Sequence, residues 1–376
     1  MKLSAKQRRR YLLLPIPAVA AVAIGAVFAS SAMAEAAALE WTLTKTPDLG
    51  EKYSLSDVHA IAENDVWAVG ETYHPDKAVA LHWNGKEWED SKAPEGSSLS
   101  DVSSVGEDVW AVGAADDKST LTARWDGKAW EAVPSPQLEL PDDSRPRLGS
   151  VHGVAADDVW AVGGSTGPMY PEGTTPILQH WDGTEWSFMD VPLPEGAVDA
   201  GLSAVRARAA DDVWALGATF DAKEVMSPLL LHWNGKEWST RDLPIAEALP
   251  QDIAFTEDGR IWLSGTVLPG STPFDGKPLM VVGDGKTWNQ LEVPAEKQSL
   301  PSITPDGTGG VVAVGGDGDK VMVVRSDGET VTREAAPAVE AEFSYLEGVS
   351  VVPGTETLWT VGFLDKFAAP VAAHTT

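Results

Sequence analysis

The hexapeptide Asp65-Val66-Trp67-Ala68-Val69-Gly70 returns at residues 108–113, at 158–163 and, with Leu216 in place of a valine, at 212–217. A chain that repeats itself must fold as an array of like units, a stronger constraint than any local propensity. Degraded copies at 261–265, 311–315 and 358–362 bring the number to seven. The glycines that close the copies, at 70, 113, 163, 217, 265, 315 and 362, lie 43–54 residues apart, room for four short strands. β-branched and aromatic residues broken by Gly, Pro, Asn and Asp fill each repeat, and no stretch of helical length carries an apolar face. The pattern predicts an all-β, seven-bladed β-propeller with four antiparallel strands per blade.

In the first repeat the strands, lettered a to d from the channel outward, are predicted at residues 55–62, 66–71, 79–83 and 86–91. Asn84-Gly85, Asp126-Gly127, Asp182-Gly183, Asn234-Gly235, Asp284-Gly285 and Asp327-Gly328 would join c to d as type I′ hairpins, which need two left-handed residues. Strand d opens on Trp88, Trp130, Trp186, Trp238, Trp288 or Val331, each six residues before a proline. Trp41 stands in the same relation to Pro47 but precedes the first complete repeat, so it heads an orphan strand d. The seventh repeat, from Tyr345 to His374, lacks its fourth strand. Residues 40–47 are therefore expected to complete that blade and close the ring without an open sheet edge.

Val162-Gly163-Gly164 and Val314-Gly315-Gly316 resemble the diglycine of kelch and galactose-oxidase-like propellers. Trp181-Asp182-Gly183-Thr184-Glu185-Trp186 and Gly283-Asp284-Gly285-Lys286-Thr287-Trp288 resemble shortened Asp-box turns. The resemblance implies the propeller architecture. Asp-box families include sialidases, whose site needs three arginines, a tyrosine and acids; Arg145, Arg147, Arg206, Arg208, Tyr170 and Asp199 are present without a spacing that singles them out.

Lys2, Lys6 and Arg8 to Arg10, followed by an uncharged stretch to Ala34, have the layout of a secretory signal peptide ending near Ala32-Met33-Ala34. Residues 1–34 are read as that signal and 35–376 as one propeller domain. Pro15 and Pro17 disfavour a retained membrane anchor. Gln7 to Leu13 also resembles a twin-arginine export signal, which leaves the route open. The chain has no cysteine, so disulfides, thiol nucleophiles and a lipoprotein anchor are excluded. Its formal net charge of −28 becomes −33 once the five basic residues of the signal are removed, a poor match for nucleic acid or anionic membrane.

All 16 tryptophans fall at repeated positions of strands b, c or d, as packing between twisted sheets would require. His82, His180, His232 and His374 share one position of strand c, which in a ring keeps them apart and off a common metal ion. The acids Asp65, Asp108, Asp158 and Asp212 before strand b read as turn stabilisers. His59, Ser103, His152 and Arg206 share a position of strand a, nearest the channel, and their convergence could hold a carboxylate against the Arg206 fork. Residues 134–146, 164–176, 218–228 and 266–278 read as long, dissimilar loops, three of them b–c connections. With Tyr73, Tyr170, Phe220 and Phe274 from the b–c connections they make a candidate recognition face.

No H-E-x-x-H, Walker loop or G-x-S-x-G elbow is present, so no catalytic residue, metal ligand or cofactor is assigned. The expected function is an exported, extracellular or envelope-associated, non-catalytic module, monomeric, that binds a protein or glycan through its variable loops. A carbohydrate-active hydrolase or lyase on the same scaffold is the alternative.

Overall fold

The computed structural model describes residues 39–115, 119–140, 144–166, 173–268, 276–365 and 369–375. The described residues form seven four-stranded antiparallel sheets and no helix. Blade one is Tyr53–Ala62, Asp65–Thr72, Lys77–Trp83 and Trp88–Asp90. The innermost strands of the seven blades are Tyr53–Ala62, Ser98–Val105, Arg145–Ala155, Ala197–Ala209, Ala248–Phe255, Ser302–Pro305 and Ser344–Val351. The ring closes as the orphan tryptophan predicts: Trp41–Leu43 pairs antiparallel with Ala369–Thr375, Trp41 opposite Thr375 and Leu43 opposite Ala373. Trp41 Nε1 also donates to the Ala335 carbonyl at 2.8 Å, and Trp88 Nε1 to Thr44 Oγ1 at 2.9 Å, so the closing segment is tied to both neighbouring blades.

Packing between blades is built on the repeated tryptophans. The strand-b tryptophan of one blade inserts between the strand-c and strand-d tryptophans of the next, Trp160 against Trp233 and Trp238 with both centroids at 5.3 Å. The strand-d partner stands edge-on, at 80–89° in four junctions, the favourable quadrupolar arrangement. Trp160 is 2 % exposed. Trp160→Ala is expected to cost about 3–5 kcal/mol in urea unfolding, the range for losing a core aromatic; an unchanged midpoint would contradict the packing role.

The strand-c histidines complete these tryptophans. His82, His180 and His232 stack on Trp67, Trp160 and Trp214 at 4.2–4.4 Å. One oxygen each of Asp65, Asp158 and Asp212 accepts from both the indole N–H and the imidazole of its blade. These three acids orient a tryptophan rather than merely stabilising a turn.

The repeated glycine of strand b has a steric cause. Strand a bulges opposite it, between Leu55 and Asp57 in blade one and between Leu202 and Ala204 in blade four. A Cβ on Gly70 would lie 2.0 Å from the Ser54 carbonyl oxygen, and one on Gly217 2.0 Å from that of Gly201. No side chain fits there.

Two local expectations need correction. The six c–d hairpins form, but only the glycine of each Asn-Gly or Asp-Gly pair has positive φ, +86° to +103°. The preceding Asn or Asp instead accepts the N–H groups two and three residues on, as Asn84 does from Lys86 and Glu87, closing four-residue Asx-type loops rather than type I′ turns. Residues 218–228 are also no loop. Strand b of blade four runs Asp212–Asp221 and strand c Met226–Trp233, because the 13-residue strand a, Ala197–Ala209, supplies a partner that far out.

Candidate functional site

The bulge decides what faces the channel. In six of the seven blades it turns successive residues of strand a inward, in the segments Leu55-Ser56-Asp57-Val58, Leu99-Ser100-Asp101-Val102, Leu148-Gly149-Ser150-Val151, Leu202-Ser203-Ala204-Val205, Pro250-Gln251-Asp252-Ile253 and Leu346-Glu347-Gly348-Val349, and blade six presents Pro301 and Ser302 of Leu300-Pro301-Ser302-Ile303 to the same cavity without a recorded bulge. The third residue of five of these segments latches the ring. Asp57, Asp101, Ser150, Asp252 and Ser302 accept the backbone N–H of Val102, Val151, Val205, Ile303 and Val349 in the next blade, at 2.7–3.2 Å. Those amides belong to innermost strands, which have no further strand on the channel side, and Val102 N–H donates in addition to its own Asp101 carboxylate at 3.1 Å. At the junction of blades four and five, where Ala204 has no acceptor, Ile253 N–H turns to its own Asp252 carboxylate at 2.8 Å.

Arg206 crosses the channel at this level. Its guanidinium meets Asp252 at 3.0 Å, Asp101 at 3.5 Å and Ser150 Oγ at 2.8 Å. The carboxylate expected against its fork is thus supplied by the chain's own blades two and five. Burial alone would lower the Arg206 pKa, but Asp252, Asp101 and Asp57 outweigh it and raise it. Burial would raise Asp101, and Arg206 together with hydrogen bonds from Asp57 and Val151 brings it below the usual carboxylate range. Asp57 is pushed well up by burial, by the Asp101 charge and by its hydrogen bond with Asp101. Burial also raises Asp252, with Arg206 opposing.

Two cavities share Arg206, Asp57, Asp252 and Ser302. The lower one, about 280 Å³, runs toward the a–b turns between valines and isoleucines of the inner strands and contains His59 and His152. Burial holds His59 down to about 4 and His152, with Arg206 and His59 adding repulsion, down to about 3, so both are neutral at pH 7. His59 Nε2 pairs with Ser104 Oγ at 2.8 Å. The upper cavity, about 370 Å³, is a polar funnel on the b–c and d–a side, lined by inner residues of every blade with Glu71, Tyr73 and Arg147. Tyr73 Oη bonds Ser54 Oγ at 2.6 Å, and Arg147 Nε donates to Ser100 Oγ at 2.7 Å. Burial lifts the Glu347 carboxyl to about 7, against the pull of Arg147 and with added repulsion from Glu71.

The structure therefore brings His59, His152 and Arg206 to one channel and puts Tyr73 at its mouth. Phe220 lies within strand b, 6 % exposed, in the wall of a groove between blades three and four. Tyr170 and Phe274, with residues 1–34, lie outside the described residues. Among the described residues no group of three His, Asp or Glu is placed to hold a metal ion. The latch carboxylates escaped the sequence reading, although the repeated Leu-x-Asp/Ser-Val/Ile segment was a usable signal.

No family model matches this sequence, and no curated protein matches it. Solved structures do. YCF48 from Cyanidioschyzon merolae shares 15 % identity over 89 % of this chain and 98 % of its own, with a TM-score of 0.57. A catalytically inactive virginiamycin B lyase from Staphylococcus aureus, with quinupristin, shares 11 % over 90 % of this chain and all of its own, TM-score 0.59. The GH74 xyloglucanase from Xanthomonas campestris shares 13 % over 89 % of this chain and 53 % of its own, TM-score 0.58. At such identities the likeness establishes the β-propeller fold, which carries binding in some of these proteins and catalysis in others.

Proposed function

We propose that this chain is an exported, non-catalytic recognition module that binds a partner protein through the face carrying its b–c and d–a connections. The observation that carries the reading is the contrast between the two ends of the channel. One end opens into a polar funnel whose inner side chains differ from blade to blade, whereas the other end is framed by short connections, its c–d loops alike and its a–b turns six residues or fewer. YCF48 has also been solved bound to a D1 peptide, which supports a peptide-binding use of such a ring. Export rests on the signal-like layout of residues 1–34.

Tyr170 and Phe274 belong to this face by their place in the b–c connections. Tyr170→Ala and Phe274→Ala are expected to weaken capture of the partner about tenfold or more, the loss of an interface anchor, with thermal unfolding unchanged. A partner footprint confined to the turns at Asn84, Asp126 and Asp182 would overturn the assignment. A second reading, a carbohydrate-active hydrolase or lyase, draws on Glu347, held near neutrality beside Glu71 as a general acid would be. Polysaccharide turnover that disappears in Glu347→Gln would select it.

A further inference from the structure

A groove of about 260 Å³ opens beside the funnel between blades three and four, walled by Gly149, Gly164, Gly201, Ala218, Phe220 and Leu249. Its glycines are of two kinds. Those at 163 and 217 are dictated by the strand-a carbonyl 2.0 Å from any Cβ. Gly149, Gly164 and Gly201 are not: an added Cβ would find its nearest neighbour at 3.4–3.5 Å, ordinary contact, and none of the three has positive φ. The fold does not ask for glycine there.

The ring supplies its own comparison. The residue paired with Gly201 across a blade junction is Gly164; one half-turn on, the equivalent pair is Tyr345 and Gly316. There the Tyr345 ring fills the space, 2.5 Å from where a Gly316 Cβ would stand, with its hydroxyl bonded to Ser299. At the other blade junctions the position of Gly201 holds Ser54, Ser98, Arg147, Leu249 or Ser299. Only between blades three and four does glycine face glycine. The groove lies where, between blades six and seven, the Tyr345 ring sits.

Arg147 lines both the groove and the funnel, and the funnel adds carboxylates of its own. Gln251 Oε1, buried in the funnel wall, has no donor among the described residues, and the half-buried Glu347 carboxyl lines the same funnel. Glu71 adds a second carboxylate to the funnel. These acceptors call for a donor-rich cation, which the chain's net charge of −28 would also draw in. We propose that the site binds a segment of the partner protein in which an aromatic side chain, seated in the Gly149–Gly164–Gly201 groove, adjoins a basic residue held by Glu347 and Glu71. This deepens the reading of the variable face given above and rests on it.

The charged and titratable groups around Glu347 are Arg147, Glu71, Tyr73 and Tyr345, with Asp57, Asp101, Asp252 and Arg206 at the funnel base. Burial keeps Tyr73 and Tyr345 neutral, so a basic ligand should bind more tightly as pH rises through about 7 and Glu347 ionises.

The test uses the intact protein and the peptide acetyl-Tyr-Lys-amide, titrated by calorimetry at pH 6 and pH 8, beside acetyl-Ala-Lys-amide and acetyl-Tyr-Glu-amide. Acetyl-Tyr-Lys-amide should bind at least severalfold more tightly than either control and gain affinity toward pH 8. Glu347→Gln should remove that gain. Gly201→Tyr, which restores the Tyr345 arrangement, should abolish the aromatic contribution while leaving thermal unfolding unchanged or raised; Gly201→Val provides the same readout if the larger ring does not fold. Equal affinity for the three peptides, preference for the acidic one, undiminished binding to the filled variants, or no binding at millimolar peptide would each overturn the proposal. A partner footprint still on the variable face would in that event leave the broader function standing.

Discussion

Deletion of residues 35–47 is expected to lower the stability of the ring by several kcal/mol and to make it aggregate, although no channel residue is touched. The deleted segment holds Trp41–Leu43, the outer strand of the last blade, and without it Ala369–Thr375 becomes an edge with a row of unpaired N–H and C=O groups. Thr44 would no longer pair with Ala372, nor accept from Trp88 of blade one. In a ring this loss is not local, because the blade it weakens is the one where both ends of the described chain meet. Differential scanning calorimetry with light scattering checks it; a deletion variant that unfolds like the intact protein would show that the velcro strand contributes little.

Arg206→Met is the second large effect, expected at about 3–5 kcal/mol at pH 7, because breaking a buried ion cluster leaves charge uncompensated. Asp101 and Asp252 would both face the channel without a cation, and Val151 and Ile303 would donate to carboxylates that now prefer to be protonated. The pH dependence gives the cause away. Asp101 has a lowered pKa in the intact protein, so its contribution is present above the unfolded value of about 3.9 and is lost as pH falls through the folded one. In the variant Asp101 loses its counter-charge and rises, so the deficit should shrink as pH is lowered from 7 toward 4. Urea unfolding at pH 7, 5.5 and 4 measures it, and a deficit constant with pH would assign the loss to packing alone.

Most of the architecture was readable because a repeat reports on itself. Seven strand-b endings closed by a glycine set the blade number, the orphan Trp41 set the closure, and the common strand-a position of His59, Ser103, His152 and Arg206 set their meeting in the channel. What was misread had a local cause. The Asn-Gly and Asp-Gly pairs were assigned a two-residue turn because the pair itself does not reveal whether its first side chain will accept the two amides that close a four-residue loop. The repeat alone puts Phe220 on a loop because strand b of blade four outlasts its repeat, an extension made possible by the long strand a opposite. The latch residues Asp57, Asp101, Ser150 and Asp252 stand one place after a bulge, where the two-residue alternation of a strand breaks phase, and Ser302 opens its strand.

By itself the sequence determined the number of blades, the strand that closes them and the residues that fill the spaces between them, since each of these depends on a pattern repeated along the chain. The tertiary structure alone decided which single residues meet. Arg206 lies 105 residues from Asp101, and they pair because equal depth on different inner strands becomes proximity once the ring is shut. The same closure sets Gly164 against Gly201 and leaves open a space that Tyr345 fills elsewhere, a difference between blades that acquires meaning only when the blades are neighbours.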